Sequence, residues 1–201
     1  MKQQDWTIGE AQRDLRQVYW RGGPGVLVSG SAWLAAGAVA LAGTPQQAVL
    51  TLFVGGMLIH PIGVLLCKLL GRRGAHTRGN PLAPLGMENT LWLMFGCALA
   101  YGVSLWRSEL FFPAMLLMIG GRYLTFATLY GMRLYWVFAA VLAGAGMLLA
   151  RSGAPMAAGA FAGGVIEIVF GIAICLAGRG TVRDAASDTA SDAASVDPTP
   201  A

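Results

Sequence analysis

Of the 201 residues, 56% are hydrophobic and only 12% are charged. A soluble domain carries about 25% charged residues, so the composition excludes an ordinary soluble globule. Its apolar content also excludes a disordered chain. The net charge is +4, but residues 184–201 hold four aspartates and no base, so the basic excess lies in the remainder. In a membrane chain such an excess orients the spans and meets anionic lipid, rather than nucleic acid.

The first twenty residues contain Lys2, Asp5, Glu10, Arg13, Asp14 and Arg16 and no apolar stretch of the kind a cleavable signal needs. Thr7 and Glu10 have the spacing of a capping box. Ile8, Ala11, Leu15, Val18 and Tyr19 then recur at helical spacing. Residues 1–21 are therefore expected to be a cytoplasmic segment with a short amphipathic helix on the inner surface.

Residues 22–67 contain no Asp, Glu, Lys or Arg. That length accommodates two spans of about 20 residues each. Gly43-Thr44-Pro45-Gln46-Gln47 reads as the turn between them. A third uncharged run covers residues 89–106. A fourth, 110–132, is interrupted only by Arg122; a fifth covers 134–150; a sixth, 152–178, is interrupted only by Glu167. The runs are continuously apolar rather than alternating, so they read as helices and not barrel strands. The expected fold is all-α, a polytopic bundle of six transmembrane helices over residues 22–178. Residues 179–201 are expected to form a disordered cytoplasmic tail, since their four-residue Asp-Ala-Ala-Ser-like repeat has nothing to bury.

Bases flank the spans unequally. Lys2, Arg13, Arg16 and Arg21 precede the first. Lys68, Arg72, Arg73 and Arg78 follow the second, Arg133 follows the fourth, and Arg179 and Arg183 follow the sixth. The opposite ends carry only Arg107 and Arg151. The positive-inside rule then places both termini in the cytoplasm, and an inner membrane is the expected location. Trp20, Trp92, Tyr130, Tyr135 and Trp136 are expected near the inner interface, and Trp106, Phe111 and Phe112 near the outer one.

No catalytic signature for a metalloprotease, serine hydrolase or nucleotide-binding loop occurs. His60 and His76 are the only histidines, so a multi-histidine metal site is excluded. Cys67, Cys97 and Cys175 are odd in number, show no C-x-x-C spacing and lie in apolar runs. They read as buried thiols. No catalytic residue, cofactor or metal is expected, and the balance leans away from an enzyme.

His60, Arg122 and Glu167 lie deep in three different spans. Counted at 1.5 Å per residue, Arg122 and Glu167 fall close to the midplane, with His60 about one turn deeper. Ionisable residues at that depth normally face protein and find partners. These three form the expected midplane polar site, with Arg122 and Glu167 as an ion pair. Pro61 is expected to break or kink its helix beside the site. Tyr101 and Thr125 are candidate lining residues. Gly159, Gly163, Glu167 and Gly171 recur every four residues, one face of a helix built for close approach.

Three strings, Gly23-Pro24-Gly25-Val26-Leu27-Val28-Ser29-Gly30, Gly55-Gly56-Met57-Leu58-Ile59-His60-Pro61 and Gly120-Gly121-Arg122-Tyr123-Leu124-Thr125-Phe126-Ala127-Thr128, carry a resemblance. Over about residues 8–150, and less clearly the sixth span, the chain resembles an uncharacterised bacterial family of small six-span membrane proteins, a domain of unknown function. The resemblance implies an integral membrane protein and brings no activity.

Two function classes follow. The first is a transporter or channel for a small solute or ion with a polar midplane site. The second is a non-transporting structural or regulatory membrane protein whose buried ion pair only sets helix packing. The expected partners are the lipid bilayer and, in the first class, the solute or ion. A second copy of the chain is an open alternative, and nucleic acid is not expected. A wet cavity reaching Arg122 distinguishes the first class; a dry, packed core distinguishes the second.

Overall fold

The computed structural model describes residues 6–195, with side chains as far as Gly178. Lys2 and residues 196–201 of the expected tail lie outside the described residues. The described residues contain no strand. They form α1 (Ile8–Val18), α2 (Gly23–Ala42), α3 (Pro45–Leu69), α4 (Ala83–Trp106), α5 (Phe111–Tyr130), α6 (Leu134–Ser152) and α7 (Met156–Ser195). The backbone of α7 continues to Ser195, into the segment expected to lack structure.

Local chemistry sets the boundaries. Thr7 and Glu10 form a complete capping box at the start of α1. Thr44 and Gln47 form a second one at α3, where the Gln47 amide donates to Thr44 Oγ1 (3.3 Å) and the Thr44 amide donates to Gln47 Oε1 (2.9 Å). The segment read as a turn is thus also a helix start. Pro61 lies inside α3, which is continuous through it, so the expected break does not occur. A proline removes one amide, and the carbonyl it leaves unbonded belongs to Met57 on the outward side of the helix, 78% exposed.

Among the described residues, five stretches are long and apolar enough to cross a membrane: Trp20–Ala42, Pro45–Leu69, Ser108–Tyr130, Leu134–Ser152 and Met156–Gly178. They point to a membrane protein. α4, at 24 residues, is long enough but less apolar, with Glu88, Asn89 and Thr90 near its start.

The helices form two groups of three. In one, α2 packs between α3 and α7; in the other, α5 packs between α4 and α6. The groups join where α7 meets α5 and α6. Glycine governs the closest contacts. Along the antiparallel α2–α7 pair, Gly23 faces Cys175, Leu27 faces Gly171, Gly30 faces Ile168, Leu34 faces Gly164 and Gly37 faces Phe161. Each helix thus presents a glycine every seven residues to a large side chain of the other. A Cβ on Gly30 would lie 3.0 Å from the Ile168 amide nitrogen, and one on Gly164 would lie 3.0 Å from that of Leu34. The α5–α6 pair is equally close: a Cβ on Gly120 would lie 2.9 Å from the Ala139 carbonyl oxygen. Among apolar helices, such backbone proximity supplies the dispersion contact that holds the pair.

α1 caps one end of this bundle. Its Ala11, Leu15 and Val18 are buried against protein. Gln12 Nε2 donates to the Thr128 carbonyl (2.8 Å) and Arg16 donates to that of Tyr130 (2.5 Å), both near the end of α5. On its other side, Asp14 fastens the loop of residues 70–82. The Thr77 amide and hydroxyl donate to its carboxylate (3.1 and 2.7 Å), as does Asn80 Nδ2 (2.8 Å), which also donates to the Ala11 carbonyl. Burial alone would raise the Asp14 pKa. The hydrogen bonds from Thr77 and Asn80, with His76 close by, outweigh that and hold the carboxyl below its ordinary range. Tyr130 and Tyr135, expected near the inner interface, are buried against protein beneath this end.

Two outcomes follow. Gly164→Val drives a side chain into the Leu34 backbone and is expected to lower stability by roughly 1–3 kcal/mol. Gly56→Ala, which meets nothing within 4 Å, should be near neutral in the same detergent melt. The Asp14 anchor should also show in the pH dependence. Its folded pKa is depressed, so its contribution is present above the unfolded value and is lost as pH falls through the folded one. The stability gap between the native chain and Asp14→Ala is expected to narrow below about pH 4. A gap unchanged between pH 7 and pH 3 contradicts the assignment.

Candidate functional site

Glu167 sits in the middle of α7, 1% exposed. The α2–α7 register places Ser29 beside it, and Ser29 is itself buried. From α5, the Tyr123 hydroxyl donates to Glu167 Oε1 at 3.0 Å. The second carboxyl oxygen, Oε2, has no hydrogen-bond partner. The surroundings are aromatic. Tyr123 stacks on Phe138 of α6 with ring centres 4.0 Å apart, and Phe138 stacks on Phe170 of α7 at 4.4 Å. The stack continues through Tyr135 and Tyr130 towards the α1 end, where the Tyr135 hydroxyl donates to the Arg21 carbonyl (2.6 Å).

Arg122 is adjacent to Tyr123 and therefore level with Glu167, but it points elsewhere. Successive helical residues are turned by about 100°, so when Tyr123 faces α7, Arg122 faces the α4 side. Its guanidinium carbon lies 5.4 Å from the centre of the Phe126 ring, and its carbonyl is within 3.5 Å of Asn89 Nδ2. Its Nε is buried without a partner. The expected Arg122–Glu167 ion pair is therefore corrected: Arg122 makes no salt bridge with Glu167, and a neutral tyrosine donor holds the carboxyl instead.

The remaining candidates are dispersed. His60 and Pro61 lie on the exposed side of α3, apart from Glu167. Along α3, Gly63 and Cys67 are buried, whereas Gly56 and His60 are exposed. Tyr101 lines an open cleft of about 490 Å³ between α3 and α4 at the end of the bundle opposite α1, with Gln46, Phe53 and Ser104. Thr125 is half-buried on α5. Neither lines a space that contains Glu167. Among the described residues, no group of three His, Cys, Asp or Glu side chains could hold a metal.

Tyr123 and Ser29 are the site residues that sequence reasoning missed. The available signal for Tyr123 was a hydroxyl at the depth of a buried carboxylate, adjacent to the residue chosen. For Ser29 it was the Gly23, Gly30 and Gly37 spacing, which fixes the α2 face towards α7.

The sequence matches the model of a family of unknown function (DUF7010) over residues 8–177. The chain belongs to this family. The match extends beyond the three resembling strings and takes in α7 from its start as far as residue 177. No curated protein and no solved structure matches the chain.

The geometry makes the Tyr123–Glu167 bond a testable unit. Tyr123→Phe leaves a buried carboxyl with neither oxygen bonded by α5, which typically costs about 1–3 kcal/mol. Glu167→Leu removes the polar group altogether. The double mutant is expected to cost less than the two single changes together, as contacting residues do. Additive losses, measured by thermal unfolding in one detergent, would show that the two side chains do not interact.

Proposed function

We propose that this family member is a six-span protein of the inner membrane that does not transport, in which Glu167 fixes the seating of α7 against α2 and α5. The observation that carries this reading is the 1% exposure of Glu167 within stacked aromatic rings, away from the clefts found at either end of the bundle. A carboxyl that lined a route for solute would face open space. This one is closed in by Tyr123, Ser29 and their neighbours. Its role is to give α7 a single position, since any other rotation or register leaves a polar group facing hydrocarbon.

In this reading α4 joins the five more apolar stretches to make six spans. Its 24 residues reach about 36 Å, enough for a hydrocarbon core of about 30 Å. Its outward side carries Leu91, Trp92, Phe95, Leu99 and Leu105, suited to lipid. The α1 end, with loop 70–82, faces the cytoplasm, because the basic residues gather there. The long apolar sides of α3 and α4 then meet lipid.

A second reading, passage of a small ion through the bundle, is favoured by one observation. Arg122 Nε and Glu167 Oε2 are both buried and both unpartnered. A water or ion between helices would satisfy such atoms.

Single cysteines at exposed Arg73 and Gln46, with Cys67, Cys97 and Cys175 replaced by Ala, test the topology. Arg73→Cys is expected to react only from the cytoplasmic side and Gln46→Cys only from the outside; the reverse pattern overturns it. Proteoliposomes loaded with a pH-sensitive dye and given a potassium-diffusion potential test the role. Proton leak equal to that of empty vesicles supports the packing reading. A leak abolished by Glu167→Gln establishes the second.

A further inference from the structure

Arg122 is a cation in the body of the bundle that makes no ion pair with any described residue. Its Nε is buried and unbonded. Its terminal nitrogens bond to no described residue and are not buried, so they meet open space. Glu167 is within electrostatic reach, but its carboxyl is held by Tyr123 on another side of α5.

Helix geometry identifies that space. Phe111, at the start of α5, packs edge-on against Phe53 of α3, with ring centres 5.5 Å apart. Arg122 follows Phe111 by eleven residues, and His60 follows Phe53 by seven. Both spacings return to nearly the same side of a helix. The two helices also run the same way from that contact. α5 is parallel to α7, because Gly159 meets Phe112 and Glu167 meets Tyr123, while α7 and α3 both run against α2. Arg122 and His60 therefore follow the Phe53–Phe111 contact on facing sides of α5 and α3.

α4 supplies the other wall. Ser104 lines the cleft at the end opposite α1, and Cys97, seven residues earlier, shares its side and lies within electrostatic reach of Arg122. α3 packs on α2 and α4 packs on α5, with no substantial contact between α3 and α4. The cleft is thus the mouth of a longer groove that opens sideways between these helices and leads to His60 and Arg122. Cys67, seven residues past His60, is 2% exposed, so the groove closes towards the α1 end. Counted along α5, Arg122 lies about 16 Å from Phe111.

We propose that this groove binds a long-chain fatty acid, with the carboxylate on Arg122 and the chain running past Phe53 towards the mouth. The argument is charge complementarity at depth. An unpaired charge among apolar helices is costly, and a guanidinium fork matches a carboxylate with two parallel hydrogen bonds. The remaining wall is largely apolar and suits an acyl chain, and the sideways opening admits a ligand that arrives through lipid. A phospholipid keeps its phosphate at the headgroup level, which Arg122 does not reach; a single carboxyl on a single chain is free to descend. The inference goes beyond the role of Glu167 and does not depend on it, so a failure to bind leaves the packing reading standing.

The test uses the full chain in a neutral detergent and native mass spectrometry, with palmitate or methyl palmitate as the probe. Palmitate is expected to be retained in preference to its ester by about tenfold or more, the worth of a charge-assisted hydrogen bond. Arg122→Gln should abolish the preference, and Arg122→Lys should keep part of it. In a chain with Cys67→Ala and Cys175→Ala, palmitate should also slow alkylation of Cys97 by N-ethylmaleimide, and the ester should not. If Arg122→Gln does not fold, Gly56→Phe serves instead. Gly56 is exposed four residues before His60, and a Cβ there meets nothing within 4 Å, so the ring is expected to fill the groove and weaken retention. Equal retention of acid and ester overturns the proposal. So does a folded Arg122→Gln or Gly56→Phe chain that retains palmitate like the native one, or a stronger preference for phosphatidylglycerol than for palmitate.

Discussion

The close antiparallel approach of α2 and α7 is the constraint on which the rest depends. Gly23, Gly30 and Gly37 on one helix and Gly164 and Gly171 on the other admit large side chains of the partner. Between apolar helices in lipid the hydrophobic effect has little left to contribute, so dispersion at short range and a few polar contacts decide the arrangement. Once the register is set, Ser29 comes beside Glu167, and Glu167 is turned towards α5 and α6. The second helix group is then joined through that carboxyl, by Tyr123, and through the aromatic stack of Tyr123, Phe138 and Phe170.

A carboxyl enclosed by aromatic rings is costly to bury, and it is retained here with a single strong donor. Polar groups of this kind specify position more than they add stability. Apart from Arg122, which lies level with Glu167 on α5, charged groups gather at the ends. Arg13, Arg16, Arg21 and Arg72 gather at the α1 end, and Arg107 and Glu109 pair at the other (2.8 Å). The α1 end is also where the chain uses local polar chemistry most densely, with Asp14, Thr77 and Asn80 tying a helix to a loop. The bundle therefore has an apolar body crossed at one level by Glu167 and Arg122, and a basic, hydrogen-bonded cap.

Most of the helices were legible in the sequence, because a run without Asp, Glu, Lys or Arg leaves few alternatives to a buried or lipid-facing helix. The Thr7 capping box was equally plain. Side-chain direction was harder to read. Arg122 has the complementary charge to Glu167, but its neighbour Tyr123 has the right azimuth, and one residue on a helix is enough to exchange the two. His60 was expected to face protein because of its depth in the span, and the glycines near it do not mark that face either. Glycine marks close approach only where another backbone is present, and α3 has such a neighbour at Gly63, beside Gly25, but not at Gly56. The seven-residue glycine spacing of α2 was present in the sequence and carried the decisive information. It becomes readable only when paired with the matching spacing on α7, which is about 140 residues away in the chain and whose direction relative to α2 has to be known. The fastening of α1 by Asp14 rests on Asn80 and Thr77 in a loop, where no periodicity announces a partner.

The register of α2 against α7 is the central claim and can be measured by cysteine cross-linking in a chain whose native Cys67, Cys97 and Cys175 are replaced by alanine. Leu34 faces Gly164 in this structure, so Leu34→Cys with Gly164→Cys should form a disulfide rapidly under mild oxidation in native membranes. A pair offset by one turn, Leu34→Cys with Ile168→Cys, should cross-link far more slowly. Comparable rates for the two pairs, or faster linkage of the offset pair, would contradict the register and with it the placement of Glu167 between Ser29 and Tyr123.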